Sequence, residues 1–231
     1  MLTQEENDLL TLTGQGTAMG AVMRNHWQPL LLTAELPDER PLKDITIFGE
    51  NLIVFRDEAG RYGALERRCC HRAGDLCYGR LEDGGVRCPY HGWLYDTDGA
   101  CTEIPSMPDR PVPDDFRLRN YDAAFAYDLV WVRLDSTVDT RIPGCPAWGD
   151  DDFRCVQGAP YTWPTSSGRR LENFVDLSHF PFVHDGSLGD RRQTIVPIAD
   201  VDRLNGELRF VFRPSPEMKL PDVALMAPTD Y

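Results

Sequence analysis

Short apolar runs separated by turn-forming residues dominate the first half of the chain. The separating segments contain Gly, Asn and Asp, which are typical of hairpin turns between β-strands. Strands are predicted at 45–48, 52–55, 62–65, near 86, and at 93–95, 116–119 and 129–134. Strands spaced this closely over residues 42–138 predict a small all-β domain.

Helical signals lie on either side of this β-rich segment. Thr3 and Glu6 have the spacing of a capping box, and Thr17 is placed to cap a second short helix. Farther along the chain, residues 169–184 carry apolar positions at helical spacing, so one helix is expected there. Residues 201–213 predict a β-hairpin with an Asn-Gly turn.

Composition and charge narrow the class of protein. The chain has 231 residues, of which 42% are hydrophobic and 26% charged, as in globular proteins with one large or two small domains. Its net charge of −13 argues against nucleic acid or an anionic membrane as a partner, because both would repel it. No apolar run reaches the length of a membrane span. The acidic first eight residues do not resemble a secretory signal, so a cytoplasmic protein is expected.

Cysteine and histidine carry most of the chemical information. Seven cysteines without an export signal make a disulfide framework unexpected. Four of the five histidines lie in two short clusters that are rich in metal-ligand residues, and only His26 lies outside them. The sequence therefore predicts two metal centres.

The first cluster combines a Cys-x-His pair with a Cys-x-x-His pair. Its four candidate ligands are Cys69, His71, Cys88 and His91. Two thiolates and two imidazoles can hold a structural zinc ion in a tetrahedral site. They can equally hold a two-iron two-sulfur centre, with the cysteines on one iron and the histidines on the other. Ligand type alone leaves both sites open. The cysteines outside the pattern, at 77, 101, 145 and 155, are predicted to be free buried thiols.

The second cluster has the pattern Asp-x-x-His-x-x-x-x-His. Two imidazoles and a carboxylate around iron(II) leave positions open for O₂. Asp176, His179 and His184 form the pattern, one turn after Asn173. On an ideal helix the two histidines would be ~140° apart, but Pro181 lies between them and is expected to distort the helix and bring the rings together. The alternative is a core helix with two incidental histidines, which would be buried without evident partners.

Both clusters have the flanking residues of a known family. Residues 69–74 (Cys-Cys-His-Arg-Ala-Gly) and 88–93 (Cys-Pro-Tyr-His-Gly-Trp) resemble the Rieske motif, and residues 171–184 extend the likeness to Rieske non-haem iron ring-hydroxylating oxygenases, catalytic subunit. The resemblance covers nearly the whole chain. Residues 1–56 are similar to the phthalate-dioxygenase branch, and residues 171–224 to methylxanthine N-demethylases. One departure is Cys70, where the family usually has proline.

The resemblance implies an α+β fold, with a small all-β Rieske domain followed by an incomplete, helix-grip-like α+β catalytic domain. Residues 1–41 would be an N-terminal helical segment packing on the catalytic domain. Residues 42–138 would form the Rieske domain and residues 139–231 the catalytic domain. The family's third iron ligand, a carboxylate, is expected beyond residue 231, so we expect a truncated chain that keeps the cluster but binds the catalytic iron poorly.

Roles for individual residues follow from the same resemblance. Cys69, His71, Cys88 and His91 would hold a [2Fe-2S] Rieske cluster. His179 and His184 would bind mononuclear Fe(II), and Asp176 would be the catalytic residue that bridges electrons from His91 of a neighbouring subunit. The resemblance therefore implies a homotrimer.

The implied activity is that of a terminal oxygenase in aromatic compound catabolism. Electrons from NAD(P)H would arrive through a separate reductase of the flavin or ferredoxin type. With O₂ they would support hydroxylation or oxidative demethylation of an aromatic or heteroaromatic substrate, as a dioxygenase or a monooxygenase. The alternative is a Rieske-type electron-transfer protein without a competent oxygenase site. A third possibility is a binding module that is stabilised by a structural zinc ion.

Overall fold

The computed structural model describes residues 2–187, 189–196, 200–204 and 207–211. It divides into two compact units, Met1–Thr162 and Trp163–Tyr231. The first unit is mostly β-structure, and the second combines short helices with a hairpin, so the predicted α+β class is confirmed. The domain boundaries expected at 41/42 and 138/139 stay predictions.

The first unit opens with two capped helices. They are α1 (Gln4–Thr11) and α2 (Ala18–Arg24). The Thr3 side chain accepts from the Glu6 amide and the Glu6 carboxylate accepts from the Thr3 amide, which confirms the predicted capping box. The Thr17 side chain caps α2 by accepting from the Gly20 amide.

Six strands form the larger sheet, in the order β1-β10-β9-β4-β3-β2, and all pairs are antiparallel. They are β1 (Gln28–Leu32), β2 (Leu42–Ile47), β3 (Glu50–Arg56), β4 (Tyr62–Glu66), β9 (Asn120–Ala126) and β10 (Leu129–Arg133). Strand β3 is buried on both faces: Leu52 and Val54 belong to one apolar cluster, and Ile53 and Phe55 to another. A strand of this kind is read in the sequence as a continuous apolar run.

Four short strands form the smaller sheet, in the order β5-β6-β7-β8. They are β5 (Arg80–Glu82), β6 (Gly85–Arg87), β7 (Leu94–Asp96) and β8 (Cys101–Glu103). The first Cys/His segment lies between β4 and β5, and the second between β6 and β7. The strand predicted at 116–119 is wrong: only an isolated bridge between Ala100 and Arg117 forms there, because the amides of Phe116 and Arg117 bond locally to carbonyls of residues 113 and 115.

The second unit contains helices α3 (Ser167–Val175) and α4 (Phe180–Val183) and the antiparallel strands β11 (Asp200–Leu204) and β12 (Glu207–Val211). The single helix predicted over 169–184 is wrong, because the chain leaves the helical conformation at Asp176. Pro181 does not cause the break; it lies in the first turn of α4, where its missing N–H costs nothing. The hairpin strands are confirmed, while the predicted turn at 205–206 lies outside the described residues. Among the described residues, no helix is long and apolar enough to cross a membrane.

Candidate metal centres

The first Cys/His segment is a tight loop closed by its own backbone. The amide of Cys69 donates to the carbonyl of Gly74 at 2.9 Å, and the amide of Ala73 donates back to the carbonyl of Cys69 at 2.8 Å. Ala73 has a φ of 52°, in the left-handed region that a residue with a Cβ adopts at a cost of about 1 kcal/mol. The loop thus fixes the direction in which the Cys69 side chain leaves the backbone.

The second segment repeats this construction. The amide of Cys88 donates to the carbonyl of Trp93 at 2.8 Å, and the amide of Gly92 donates to the carbonyl of Cys88 at 3.1 Å. Gly92 has a φ of 76°, at the same loop position as Ala73. Arg87 holds this loop from outside, because its Nη1 donates to the Gly92 carbonyl at 2.8 Å. Two loops of unlike sequence therefore present one cysteine each from the same backbone geometry.

The two loop cysteines are buried and close together. Cys69 is 4% exposed and Cys88 is 3% exposed. Burial raises the pKa of the Cys88 thiol, and the nearby Cys69 raises it further. A Cβ added at Gly74 would lie 2.9 Å from the Cys88 Sγ and 3.3 Å from the Tyr90 Cβ. The space beside the thiols is therefore kept open by the absence of a side chain at Gly74.

The two loop histidines lie at the surface instead. His71 and His91 are exposed, and their ring centroids are 4.7 Å apart in an edge-to-face arrangement. The His71 ring also stacks on the buried Trp93 at 4.5 Å, which fixes its orientation. Partial desolvation, followed by the charge of His91, lowers the pKa of His71 and favours its neutral, ligand-competent form.

The pairing of like donors fits one of the two sites that the sequence left open. A Rieske cluster needs two thiolates on one iron and two imidazoles on the other, and the structure pairs sulfur with sulfur and ring with ring. A tetrahedral zinc site needs all four donors around one point. Within the described part of the chain, no three or more His, Cys, Asp or Glu side chains converge to hold a single ion. The residues therefore fit the two-iron cluster.

Tyr95, on strand β7, was not predicted to take part in this centre. Its side chain is fully buried, and its hydroxyl lies 3.0 Å from the Cys69 Sγ and 3.3 Å from the Cys70 Sγ. Burial raises the pKa of the Tyr95 hydroxyl far above its usual value, so the hydroxyl keeps its proton. Hydrogen bonds to the ligating sulfurs are among the factors that set the potential of an iron–sulfur cluster.

An arginine–aspartate pair, which no sequence motif predicts, joins the two ends of the first loop. Arg67 donates to both carboxylate oxygens of Asp75 at 2.8 Å, and both side chains are largely buried, at 22% and 15% exposure. The Asp75 carboxylate also accepts from the amide of Cys77. The Arg67 guanidinium holds the pKa of Asp75 well below its usual range.

We expect Asp75→Asn to destabilise the first unit by about 1–3 kcal/mol, because a charge-assisted pair of hydrogen bonds is lost. Because folding lowers the pKa of Asp75, the ionised carboxylate stabilises the folded state. This contribution to the free energy of unfolding is complete above the unfolded pKa of about 3.9 and is lost as the pH falls below it. Urea unfolding at pH 7 and at pH 3 checks both points. Asp98→Asn, at an exposed turn, serves as the control. An equal loss of stability at the two pH values would contradict the assignment.

The second cluster begins where helix α3 ends. Asp176 is the C-terminal cap of α3, and its Oδ1 accepts from both the amide and the hydroxyl of Ser178. This Asx turn redirects the chain before Pro181 is reached. The Ser178 hydroxyl is also the main cause of the lowered pKa of Asp176, which stays ionised. The other oxygen, Oδ2, lies 3.3 Å from the Nδ1 of His179.

The turn also brings the two histidines of this cluster together. The ring centroids of His179 and His184 are 5.4 Å apart. The Nδ1 of His179 is buried and lacks an aligned hydrogen bond, although Asp176 is within ion-pair distance. A proton on Nδ1, facing the carboxylate, leaves the Nε2 lone pair available for a metal. The residues therefore fit two imidazole ligands of an iron ion, with Asp176 outside the ligand set.

The cysteines outside the two centres differ from one another in exposure. Cys77 and Cys101 are buried, as expected, but Cys145 and Cys155 are exposed, so their predicted burial is wrong. Both lie between residues 139 and 162, where most side chains face solvent.

Comparisons with known proteins match both of the segments that carry these clusters. The Rieske [2Fe-2S] domain matches residues 26–122, and the vanillate O-demethylase oxygenase C-terminal domain matches residues 163–228. Methylxanthine N1-demethylase NdmA of Pseudomonas putida is 38% identical over 216 residues, which are 90% of this chain and 61% of the relative. The phthalate 4,5-dioxygenase oxygenase subunit of Pseudomonas putida is 35% identical over 189 residues, 80% of this chain and 42% of the relative.

Solved structures agree with the sequence comparisons. The structure of Pseudomonas putida NdmA with caffeine matches with a TM-score of 0.80 and 37% identity, over 87% of this chain and 60% of that chain. The present chain thus spans about three fifths of the length of the methylxanthine demethylases that it matches. Because it combines a Rieske domain with an oxygenase C-terminal domain, the chain belongs to the Rieske non-haem iron oxygenases.

Proposed function

We propose that this chain is the terminal oxygenase component of a Rieske system. The observation that carries the proposal is the presence of two different donor sets in one chain. The first unit pairs two buried thiols with two exposed imidazoles, and the second pairs two imidazoles beside an ionised carboxylate. An electron-transfer protein needs only the first set, so that alternative is not favoured.

The proposed holders of each group are the residues predicted from the sequence. Cys69, Cys88, His71 and His91 would hold the [2Fe-2S] cluster. His179 and His184 would hold mononuclear Fe(II). When bound, these groups would supply electron storage and O₂ activation.

Asp176 is proposed to orient the iron ligand and to meet a neighbouring subunit. Its Oδ1 is held by Ser178, which leaves Oδ2 to accept the proton on Nδ1 of His179. Asp176 is also 47% exposed, and His91 in the Rieske domain is exposed as well. Both side chains are thus accessible to another copy of the chain. This supports the homotrimer in which His91 of one subunit contacts Asp176 of the next.

The substrate is proposed to be an aromatic or heteroaromatic compound. The two methylxanthine demethylases among the relatives match 90% of this chain at 38% and 37% identity, and the phthalate dioxygenase matches 80%. This favours oxidative N-demethylation over dihydroxylation. We propose a reductase that takes electrons from NAD(P)H as the partner. A cytoplasmic location is proposed because none of the seven cysteines, all of which lie among the described residues, forms a disulfide.

A single-turnover experiment with Asp176→Asn tests the proposal. The purified chain, reconstituted with iron and sulfide and reduced, is mixed with O₂ and a methylxanthine, and formaldehyde and cluster reoxidation are followed. With Fe(II) supplied in excess, because the chain is expected to bind the catalytic iron poorly, the wild type should form formaldehyde. Asp176→Asn should keep cluster and iron but form product about 10–100-fold more slowly, because the orientation of His179 is lost.

Glu172→Gln is the matched control, since Glu172 is an equally exposed carboxylate on α3 that pairs with Arg169 instead. It should react like the wild type. A wild-type chain that holds the cluster but forms no product with any methylated or unmethylated aromatic substrate would favour the electron-transfer alternative.

A further inference from the structure

Three sulfur and oxygen atoms form a short chain beside the proposed cluster. The buried hydroxyl of Tyr95 lies between two adjacent cysteines, 3.0 Å from the Cys69 Sγ and 3.3 Å from the Cys70 Sγ. Cys69 belongs to the proposed ligand set, whereas Cys70 does not and is exposed. The function described above leaves Cys70 without a role.

Proton counting fixes the direction of these two hydrogen bonds. Tyrosine has one O–H donor, so Tyr95 can donate to only one sulfur at a time. A cysteine that ligates a metal does so as the thiolate and has no proton to donate. Cys69 must therefore accept from Tyr95, and Cys70 can bond to Tyr95 only by donating its S–H to the hydroxyl oxygen.

We infer that Cys70 is a positioning residue for the cluster, and that its thiol donates to Tyr95 and so directs the Tyr95 proton onto the Cys69 sulfur. The inference rests on the proposed function, since it needs Cys69 as a ligand. Hydrogen bonds in such a chain polarise and strengthen one another. A stronger bond to a ligating sulfur stabilises the more negative, reduced cluster and raises its potential.

The structure also shows why the Tyr95 hydroxyl needs this neighbour. Tyr95 is fully buried on strand β7, and the two cysteine sulfurs are the hydrogen-bond partners of its hydroxyl among the described residues. Cys101, another buried thiol of the same core, donates instead to the Glu103 carbonyl at 3.5 Å. Cys70 is thus distinguished from Cys101 by its contact with Tyr95.

A double-mutant cycle on the cluster-loaded chain tests the inference. The midpoint potential is measured by spectroelectrochemistry in the wild type, Cys70→Ala, Tyr95→Phe and the double variant. Cys70→Ala should make the cluster about threefold harder to reduce, which is ~28 mV at 59 mV per decade. Tyr95→Phe should have a larger effect, about tenfold, and Cys70→Ala should add nothing in that background. Cys101→Ala is the control and should leave the potential unchanged.

The infrared S–H stretch of Cys70 gives a second readout, which does not require the Tyr95→Phe variant to bind a cluster. The band that disappears in Cys70→Ala should shift to lower frequency when the cluster is reduced, because a more negative Cys69 sulfur draws the Tyr95 proton more strongly and makes the Tyr95 oxygen a better acceptor. An unshifted band or an unchanged midpoint potential in Cys70→Ala would overturn the inference. So would an equal change in potential on adding Cys70→Ala to the wild type and to Tyr95→Phe. Loss of the cluster in Cys70→Ala would overturn it too, since Cys70 would then be a ligand. A wild-type chain that binds no cluster would instead refute the proposed function.

Discussion

Cys88→Ala is expected to abolish the cluster, and with it the visible absorption and acid-labile sulfide of the purified chain. Cys88 is one of two buried thiols that face the space kept open at Gly74, and no other cysteine lies in the second loop. Removing its sulfur leaves one iron of the pair with a single protein ligand. Ultraviolet–visible spectroscopy with iron and sulfide analysis measures the loss.

The same variant should also unfold at a lower temperature than the loaded wild type. A group that binds only the folded chain adds its binding free energy to stability, so its loss lowers the melting temperature. Apo wild type and Cys88→Ala should melt at similar temperatures, because deleting one sulfur in the core costs little beside the loss of the cluster.

Cys101→Ala is the matched control for this prediction. Cys101 is 7% exposed and belongs to the same apolar core as Cys88. Burial raises its pKa to about 11, so it stays a neutral thiol at physiological pH. The variant should keep its colour, iron and sulfide. Full cluster content in Cys88→Ala, or zinc in place of iron in the wild type, would contradict the assignment of the first centre.

The ligand candidates could be predicted because their chemistry is local in sequence. Each loop carries its cysteine and histidine within four residues, and the two loops close on their own backbone. Asp176, His179 and His184 are likewise brought together by one turn. No long-range packing had to be known to propose either set.

The supporting residues could not be predicted, because they depend on packing between distant segments. Tyr95 reaches Cys69 across 26 positions of sequence, from a strand of the smaller sheet. Arg67 and Asp75 flank the first loop, but nothing distinguishes them from other surface charges until the loop is folded. The side chains that tune or support a centre could therefore be identified only from the structure.

Two errors in the predicted secondary structure have different causes, one local and one long-range. Residues 169–184 have helical periodicity throughout, yet the Asp176 side chain competes with the helix for the amide of Ser178 and ends it. Strand β1 was not predicted at all; its pairing with β10 joins residues about a hundred positions apart. Periodicity does not reveal either effect.

His179→Ala and His184→Ala should each lower the affinity of the second unit for Fe(II) by at least about a hundredfold. Loss of a residue that only orients a ligand costs 10–100-fold in affinity, and loss of the ligand itself should cost no less. Each variant leaves one imidazole of a pair whose rings lie 5.4 Å apart. Anaerobic Fe(II) titration against a competing chelator measures the affinity, and the cluster spectrum should not change.

His26→Ala is the control for both variants. His26 is exposed and lies in the first unit, outside both clusters. It should bind Fe(II) like the wild type. Unchanged affinity in both His179→Ala and His184→Ala would refute the second centre while leaving the first intact.

The order of the effects also separates a ligand from an orienting group. Asp176 contacts the Nδ1 of His179 and is held by Ser178 on its other oxygen. If it only orients His179, Asp176→Asn should weaken Fe(II) binding less than His179→Ala, and the double variant should bind no more weakly than His179→Ala alone. If Asp176 is itself a ligand, the double variant should lose further affinity, because two direct bonds to the metal are then removed instead of one bond and its support.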